Sequence, residues 1–314
     1  MNRASRVGVL HPGALGGALG KAIAEAGDTP ISCLRGRSAT TRERALAANF
    51  VVVPSLDELA RDSDIVISLV PPARALEVAL CFAACADQYA DSARMPTFID
   101  ANSVAARTKK HIADILSTVG VSCLDGAFLG PANRIGTENV MLLSGPGADK
   151  VAPVFRKVVE TRVVAEEVGQ ASSLKMTMAI LTKALPALLL EMVCASAKNG
   201  QLGPALDLMR RLYPGIIEFL ERTLPTYPEH IGRRVFELTE VRDWLRELDQ
   251  RAVMTEGAIT VLERLSRQEL SSNIDWRFED LLRAIGESDM LSSDERGAID
   301  SDPAGTPSGI STTK

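Results

Sequence analysis

The chain has 314 residues, 46% hydrophobic and 24% charged, which is typical of a globular protein long enough for two domains. Its net charge of -5 excludes the strongly basic surface that nucleic-acid phosphates require, so we expect no nucleic-acid partner. The aromatic share of 4% leaves the core to aliphatic side chains, a composition typical of parallel sheets flanked by helices.

The first half of the chain alternates short β-rich runs with helical patterns. The predicted strands are Val7–His11, Pro30–Leu34, Phe50–Val53, Ile65–Val70, Thr97–Asp100, Ser122–Asp125, Val140–Ser144 and Arg162–Val164. The predicted helices between them are Ala14–Ala26, Arg42–Ala48, Ala73–Cys85 and Ala106–Thr118. This alternation predicts a parallel sheet covered on both faces, and therefore a doubly wound α/β (Rossmann) domain over residues 1–164.

From residue 165 the strand signals stop and long helical patterns follow. The predicted helices are Ala171–Lys198, Pro204–Leu220, Glu229–Leu248 and Met254–Ser266. They predict an all-helical second domain over residues 165–290, interrupted at Pro214, Pro225 and Pro228. Residues 291–314 are rich in Ser, Asp, Gly and Thr and are predicted to be a disordered tail.

The cysteines and the hydropathy of the chain indicate its cellular location and whether it binds a metal. The five cysteines match no zinc-binding spacing, so we expect reduced thiols and no metal site. No secretory signal is visible at the N-terminus. The most apolar stretch, Met178–Ala197, contains Lys183, Pro186 and Glu191, which favours a buried helix over a membrane span. We therefore expect a cytoplasmic protein.

A partial glycine motif follows the first predicted strand. The turn reads His11, Pro12, Gly13, Ala14, Leu15, Gly16. In the dinucleotide-binding fingerprint G-x-G-x-x-G, Gly13 and Gly16 fill the second and third glycine positions, and His11 stands at the first. Gly13 would let the backbone approach a pyrophosphate, and Gly16 would let the helix pack closely on the sheet. The alternative is a purely structural corner, but the position at the start of a βαβ pattern favours a cofactor site.

The end of the second predicted strand indicates which dinucleotide is bound. An NAD site usually carries an acid here for the ribose 2′-hydroxyl, whereas this chain has Arg35, Arg37 and Ser38. Two arginines and a hydroxyl can hold a 2′-phosphate by charge-assisted hydrogen bonds, which favours NADP (NADPH). A solvated basic loop is the alternative.

Five segments, in this order and spacing, resemble the β-hydroxyacid dehydrogenase superfamily, which includes 3-hydroxyisobutyrate and 6-phosphogluconate dehydrogenases. They are the turn at Gly13 and Gly16, Val70-Pro71-Pro72, Asp100-Ala101-Asn102-Ser103, Asp125-Gly126-Ala127-Phe128-Leu129-Gly130-Pro131, and Gly169-Gln170-Ala171-Ser172-Ser173-Leu174-Lys175-Met176. The helical half resembles an uncharacterised variant of the phosphogluconate dehydrogenase type. The resemblance implies further cofactor contacts at Val70, Pro71, Pro72 and Asn102.

The resemblance also implies a catalytic residue. Lys175 falls at the family's catalytic lysine, a general base for the hydroxyl in oxidation and a general acid for the carbonyl in reduction. Without the resemblance, an ordinary surface lysine of a helix is the alternative. Asn102 and Ser103, with backbone groups near Leu129 and Gly130, are the candidate substrate-binding residues.

Two departures from the family pattern concern the substrate. Ala179 stands where the family usually has Asn, and Leu129-Gly130-Pro131 replaces a Ser-Gly-Gly carboxylate loop. We therefore expect a less polar or bulkier substrate than 3-hydroxyisobutyrate. Lys183, two helical turns after Lys175, is a candidate substrate anchor in place of the lost Asn, or else faces solvent.

These features predict an NADP-dependent enzyme that transfers a hydride to or from a small β-hydroxy acid. The alternatives are an imine or ketone reductase of the same fold and a non-catalytic NADP-binding sensor. His11 is a second candidate proton carrier, although its position beside the pyrophosphate turn argues against that role.

The apolar character of one predicted helix indicates the oligomeric state. Apolar residues surround nearly the whole of Ala179–Ala197, and such a helix must be covered on all sides. A small helical domain has little interior to cover it. We therefore expect a homodimer formed mainly by residues after Val164, with Lys175 close to the interface.

Overall fold

The structure is a computed structural model that describes residues 3–88, 95–130, 135–136, 138–270, 275–288 and 290–291. The tail predicted over residues 291–314 lies outside the described residues from position 292 onward, and so does Pro131.

Eight strands form one sheet in the first half of the chain. They are β1 (Arg6–Leu10), β2 (Thr29–Cys33), β3 (Val51–Val53), β4 (Ile65–Ser68), β5 (Thr97–Asp100), β6 (Cys123–Leu129), β7 (Val140–Ser144) and β8 (Glu160–Ala165). Their order is β3-β2-β1-β4-β5-β6-β7-β8. The first six strands run parallel, whereas β7 is antiparallel to β6 and parallel to β8. The link over residues 130–139 is too short for a crossover helix, which explains the reversal.

Helices alternate with these strands and then continue alone. They are α1 (Ala14–Glu25), α2 (Ala39–Ala47), α3 (Leu56–Asp62), α4 (Ala75–Asp87), α5 (Ala106–Ser117), α6 (Ala148–Phe155), α7 (Gln170–Lys198), α8 (Leu202–Leu212), α9 (Pro214–Thr223), α10 (Tyr227–Glu247), α11 (Val253–Ser266) and α12 (Phe278–Glu287). Single 3₁₀ turns occupy Pro72–Arg74 and Leu224–Thr226. The helix predicted over Pro204–Leu220 is two helices, since Pro214 begins α9.

Two apolar layers cover the sheet. Leu19 of α1 and Phe155 of α6 belong to the core on one face, with Ala45 of α2. Phe82 of α4 and Leu116 of α5 belong to the core on the other face. The predicted fold class, a doubly wound α/β domain followed by an all-helical region, is confirmed, with the refinement that the sheet is mixed at β7 and β8.

Contacts divide the chain into two compact units. The first is Met1–Thr182 with Glu240–Arg251, and the second is Lys183–Thr239 with Ala252–Lys314. The second unit has its own core, built from α7, α9, α11 and α12 around residues such as Leu190, Leu220 and Leu282. The strands end at Ala165, next to the predicted boundary at residue 164, while the division by contacts falls later, inside α7. The functional domain boundaries stay a prediction.

Helix α7 is 29 residues long and unusually apolar. Within the described part of the chain it is the one helix long and apolar enough to cross a membrane, by length and composition alone. The core helix of a globular protein meets the same criterion, so this is weak evidence. The predicted cytoplasmic location and absence of a membrane partner stay predictions.

Candidate functional site

The sheet topology brings the predicted cofactor segments to one edge. Strands β1, β4 and β5 are neighbours and parallel, so their carboxyl ends at Leu10, Ser68 and Asp100 lie side by side. The strand order reverses between β1 and β4, and in open α/β sheets ligands bind in the crevice at such a switch point. The glycine turn after β1 and the loops after β4 and β5 line this edge.

The turn after β1 has the close packing expected of a dinucleotide site. A Cβ added at Gly16 would lie 2.6 Å from the carbonyl oxygen of His11, so only glycine fits there. Gly13 is the N-cap of α1, and no side chain caps this helix. Ala14 and Leu15 form its first turn after Pro12. The backbone N–H groups of that turn therefore remain available to an anion.

His11 adopts a conformation that explains why a glycine is usual at its position. Its φ is +76°, in the left-handed region that favours glycine. Its Nδ1 atom is buried without a hydrogen-bond partner. Burial lowers the pKa of His11, and the charges of Arg37 and Arg44 lower it further, so the ring is neutral at pH 7. A neutral ring beside two arginines is a poor proton carrier.

The loop after β2 presents basic groups. Arg35 is exposed and Arg37 is half-buried, on either side of Gly36 at φ +73°. The Nε of Arg37 is buried without a hydrogen-bond partner. Ser38 caps α2, since its Oγ accepts a hydrogen bond from Thr41 N at 3.2 Å. The Nε donor of Arg37 is therefore unused in this loop, whereas the Ser38 hydroxyl already caps α2.

The Asn102 side chain forms hydrogen bonds within its own edge of the sheet. It is buried, and its Nδ2 donates to Ser68 Oγ at 3.1 Å and to Asp100 Oδ2 at 3.0 Å. Its Oδ1 accepts the N–H of Val70 at 2.7 Å. Both amide hydrogens are used, so the Asn102 side chain fixes the loop that continues through Pro71 into the 3₁₀ turn beginning at Pro72. Its predicted contacts with cofactor and substrate remain untested.

A fully buried ionic cluster lies under this edge, and sequence reasoning missed it. Lys109 of α5 donates to Asp100 at 2.5 Å from Oδ1 and 2.6 Å from the backbone oxygen. Its Nζ is also 3.4 Å from Asp125 Oδ1 of β6. All three side chains are at most 1% exposed. Asp100 and Asp125 stand in two of the resembling segments, but nothing in the sequence marked Lys109 as their partner.

The same cluster fixes the beginning of α7. Asp125 accepts hydrogen bonds from the backbone N and the Oγ of Ser172, both at 2.7 Å. Ala171 N donates to Ser144 Oγ at 3.0 Å. The first turn of α7 is therefore tied to β6 and β7, and a carboxylate at a helix N-terminus is favourable. Lys175 lies one turn further along this anchored helix.

Lys175 itself contacts the loop after β5. Its Nζ donates to Ser103 Oγ at 2.9 Å. Lys175 is half-buried and Ser103 is exposed, so this pair borders solvent. The structure thus brings together two of the predicted site residues, within the first unit.

The other predicted substrate residues have structural partners. Leu129 O accepts a hydrogen bond from Asn139 Nδ2 at 3.3 Å, and Gly130 has φ +100° with no room for a side chain. Lys183 forms an ion pair with Glu237 of α10 in the second unit. Burial alone would raise the pKa of Glu237, but Lys183, Arg233 and Arg234 outweigh it and keep the carboxyl ionised. Their roles toward a substrate stay predictions.

Among the residues that the structure describes, no group of three or more His, Cys, Asp or Glu side chains could hold a metal ion.

Known proteins match both halves of the chain. Residues 199–265 match the model of a domain of unknown function, DUF1932. An uncharacterised 28.5 kDa protein of Methanothermus fervidus, from a 7S RNA 5′ region, is 27% identical over 224 residues. That alignment covers 71% of this chain and 84% of the relative.

Solved structures identify the fold. A conserved protein of unknown function, described as structurally similar to 3-hydroxyacid dehydrogenases, matches with a TM-score of 0.68 at 26% identity, over 83% of this chain and 96% of its own. The chain has the fold of the 3-hydroxyacid dehydrogenases. The 3-hydroxyisobutyrate dehydrogenase of Mycobacterium tuberculosis matches this fold with a TM-score of 0.70 at 16% identity, over 90% of this chain and 99% of its own.

Imine reductases share the 3-hydroxyacid dehydrogenase fold at lower similarity. A variant from Myxococcus stipitatus, in complex with NAD+, has a TM-score of 0.57 at 17% identity, over 90% of this chain and 100% of its own. The predicted resemblance is therefore confirmed for the fold, which dehydrogenases and imine reductases have in common.

Proposed function

We propose that this protein is an NADP-dependent oxidoreductase that interconverts a small β-hydroxy acid and the corresponding aldehyde or keto acid. Lys175 is its general acid and base. The observation that carries the proposal is the hydrogen bond of 2.9 Å from Lys175 Nζ to Ser103 Oγ. It joins a basic group of α7 to the loop after β5, at the sheet edge where ligands bind in such folds.

Lys175 would move the proton of the substrate oxygen. In oxidation its neutral amine takes the hydroxyl proton as the carbonyl forms, and in reduction its ammonium returns a proton to the carbonyl oxygen. Ser103 orients the amine by accepting a hydrogen bond from it. The hydrogen bonds from Ser172 to Asp125 attach the first turn of α7 to the sheet and so fix the position of the Lys175 amine.

The residues after β1 and β2 fit a phosphorylated dinucleotide. The close approach at Gly16 and the uncapped N-terminus of α1 suit a pyrophosphate, which backbone N–H groups from Ala14 onward would bind. Arg35 and Arg37 would hold the 2′-phosphate, and the unpartnered Nε of Arg37 supports this. NADP, when bound, supplies or accepts the hydride.

Imine or ketone reduction is a second candidate. Two observations favour it: imine reductases share the fold, and Ala179 stands where the resembling dehydrogenases have Asn. The pairing of Lys175 with Ser103 favours the alcohol chemistry, because a basic group that loses and regains a proton is what a hydroxyl substrate requires.

One experiment separates the candidates. NADPH oxidation would be followed with a panel of carboxylate-bearing aldehydes, keto acids and cyclic imines, for the wild-type protein and Lys175→Met. We expect turnover of an aldehyde or keto acid that the variant loses while it still binds NADPH. Turnover of imines alone would favour the reductase. Tight NADPH binding without turnover of any of these would favour the sensor.

We further infer that the protein is a homodimer through α7. Leu174, Met178, Leu181 and Leu188 are spaced by four, three and seven residues and are 38%, 41%, 61% and 55% exposed. Apolar side chains at this heptad spacing form one stripe along a helix, which suits packing against a second copy of the same helix. A lone chain would leave the stripe in water.

A further inference from the structure

The second unit contains a buried cation with no role in the proposed reaction. Arg234 and Tyr227 of α10 are 7% and 0% exposed. The guanidinium of Arg234 stacks on the Tyr227 ring, with 4.1 Å from Cζ to the ring centroid. Stacking covers the face of a guanidinium and leaves its N–H donors, which lie in its plane, available to other groups.

Most of the hydrogen-bonding capacity of these two side chains is unused. Arg234 donates from one terminal nitrogen to Thr226 Oγ1 at 2.7 Å, but its Nε is buried without a partner. The hydroxyl of Tyr227 is also buried without a partner. Burial raises the pKa of this hydroxyl to about 12, so it remains a donor at neutral pH. Buried polar groups are nearly always hydrogen-bonded, and two unpartnered donors on stacked side chains indicate an absent acceptor.

The charges around the pair are mostly positive. Lys183 pairs with Glu237, and Arg233 Nε lies 3.6 Å from the same carboxylate. Glu237 is thus shared by two cations. Arg234 has no ion pair with a carboxylate among the residues that the structure describes, which is unusual for a buried charge. Lys183, Arg233 and Arg234 thus outnumber the single carboxylate of Glu237, which leaves the cluster with an excess of positive charge.

We propose that Arg234, Tyr227 and Lys183 form a binding site in the helical unit for a small oxyanion, a carboxylate or a phosphate group. The edge of the guanidinium offers donors to two oxygens of one oxyanion, and the Tyr227 hydroxyl offers a third donor. Lys183 and Glu237 keep 21% and 35% of their side chains exposed, so solvent reaches the cluster from their side. This site stands whether or not the proposed reaction is correct.

The test measures anion binding by the full-length protein without any reaction. Potassium malonate, potassium phosphate and potassium chloride would be compared at equal ionic strength, by calorimetric titration and by the midpoint of thermal unfolding. We expect malonate, phosphate or both to bind saturably and raise the midpoint, and chloride to do neither. Malonate alone identifies a carboxylate site, and phosphate alone a phosphate site.

Three variants locate the binding. Arg234→Met should weaken it about 10- to 100-fold, the loss typical of a charge-assisted hydrogen bond. Tyr227→Phe keeps the ring and should weaken it less. Arg233→Met is the matched control, since it removes the same charge from the same helix at a residue whose side chain is 63% exposed. The anion affinity of this variant should stay near that of the wild type.

A further variant excludes binding at the dinucleotide site. Arg35→Ala/Arg37→Ala removes the two cations proposed to hold the 2′-phosphate, so anion binding that persists in this variant and is weakened by Arg234→Met belongs to the helical unit. Absence of saturable anion binding in the wild-type protein overturns the proposal, as does undiminished binding by Arg234→Met or an equal loss in Arg233→Met. If Arg234→Met does not fold, unchanged binding by Tyr227→Phe decides against the site and weakened binding decides for it.

Discussion

Ser172 donates both its backbone N–H and its hydroxyl to the carboxylate of Asp125, at 2.7 Å each. Asp125 is in turn 3.4 Å from Lys109, which also holds Asp100 at the end of β5. The helix that carries Lys175 is therefore attached to the sheet through a buried ionic group.

Removal of the Ser172 hydroxyl tests this attachment. Ser172→Ala leaves part of a buried carboxylate unsatisfied, so we expect the free energy of unfolding to fall by about 1–3 kcal/mol. Turnover should fall more than NADPH affinity does, because the first turn of α7 loosens under Lys175. Chemical denaturation and steady-state kinetics measure both, with the neighbouring Ser173→Ala as control. Equal effects in the two variants would argue against a special role for Ser172.

The glycine turn offers a matched pair of substitutions. In Gly16→Ala the new Cβ would lie 2.6 Å from the His11 carbonyl oxygen, so the turn must shift. Overpacking of this kind destabilises by about 1–3 kcal/mol, and we expect dinucleotide binding to weaken by a similar amount. In Gly17→Ala the nearest atoms are 3.6 Å away, and a helical alanine is favourable. Fluorescence titration with NADPH compares the two; similar affinities would show that the turn does not contact the cofactor.

Arg35 and Arg37 should make the protein selective for NADPH over NADH. Replacing both with Ala should weaken NADPH binding by about 1.5–3 kcal/mol for each charge-assisted hydrogen bond to the 2′-phosphate, and should leave NADH affinity nearly unchanged. Dissociation constants for both dinucleotides provide the measurement. Lys21→Ala, which removes an exposed cation from α1, is the control. Equal affinities of the wild type for NADPH and NADH would refute the assignment.

Lys175→Met should lower turnover by about 10²–10⁴-fold, the usual contribution of a general acid or base. Ser103→Ala should have a smaller effect, since it removes only the group that orients the amine. NADPH affinity should be retained in both. Lys198→Met, at the other end of α7, serves as the control. Near-normal turnover by Lys175→Met on the best substrate would remove Lys175 from the chemistry.

A charge in the stripe of α7 should separate the proposed dimer. Leu181→Glu introduces a carboxylate at a residue that is 61% exposed in the single chain. Burying an unpaired charge in an interface is costly, so we expect monomers at low micromolar concentration, seen by sedimentation velocity. Leu46→Glu, at a similarly exposed leucine of α2, should leave the assembly unchanged. A wild-type protein that is monomeric and fully active would contradict the proposal.

Alternation of strands and helices was enough to predict the sheet and the fold class. Three helices were not predicted. Helix α3 has only seven residues, too few for a helical period to show. Helix α6 contains Pro153, a residue typical of helix ends. Helix α12 lies in the predicted helical domain, but it is a short helix after a polar stretch, and its position within that domain was not predicted.

The candidate site could be predicted only in part. The glycine turn and Lys175 stand in local patterns, which a sequence displays directly. Lys109 meets Asp125 across 16 positions of the chain, and only folding brings them together. Likewise, Arg233 and Arg234 are equivalent arginines of a polar helix in the sequence, and only the structure shows that Arg234 is buried while Arg233 is exposed. Buried charges are determined by tertiary packing, so local sequence patterns do not reveal them.

The reversed direction of β7 and β8 decides where the chain leaves the sheet. Strand β8 ends at Ala165, which pairs with Ser144, and Ser144 pairs with Asp125. Two more strands parallel to β6 would have carried the chain past the level of Leu129 before the next helix began. The antiparallel direction of β7 relative to β6 thus determines the level of the sheet at which α7 begins. It returns the chain to the level of the buried aspartates and delivers α7 to them over a connection of four residues, 166–169.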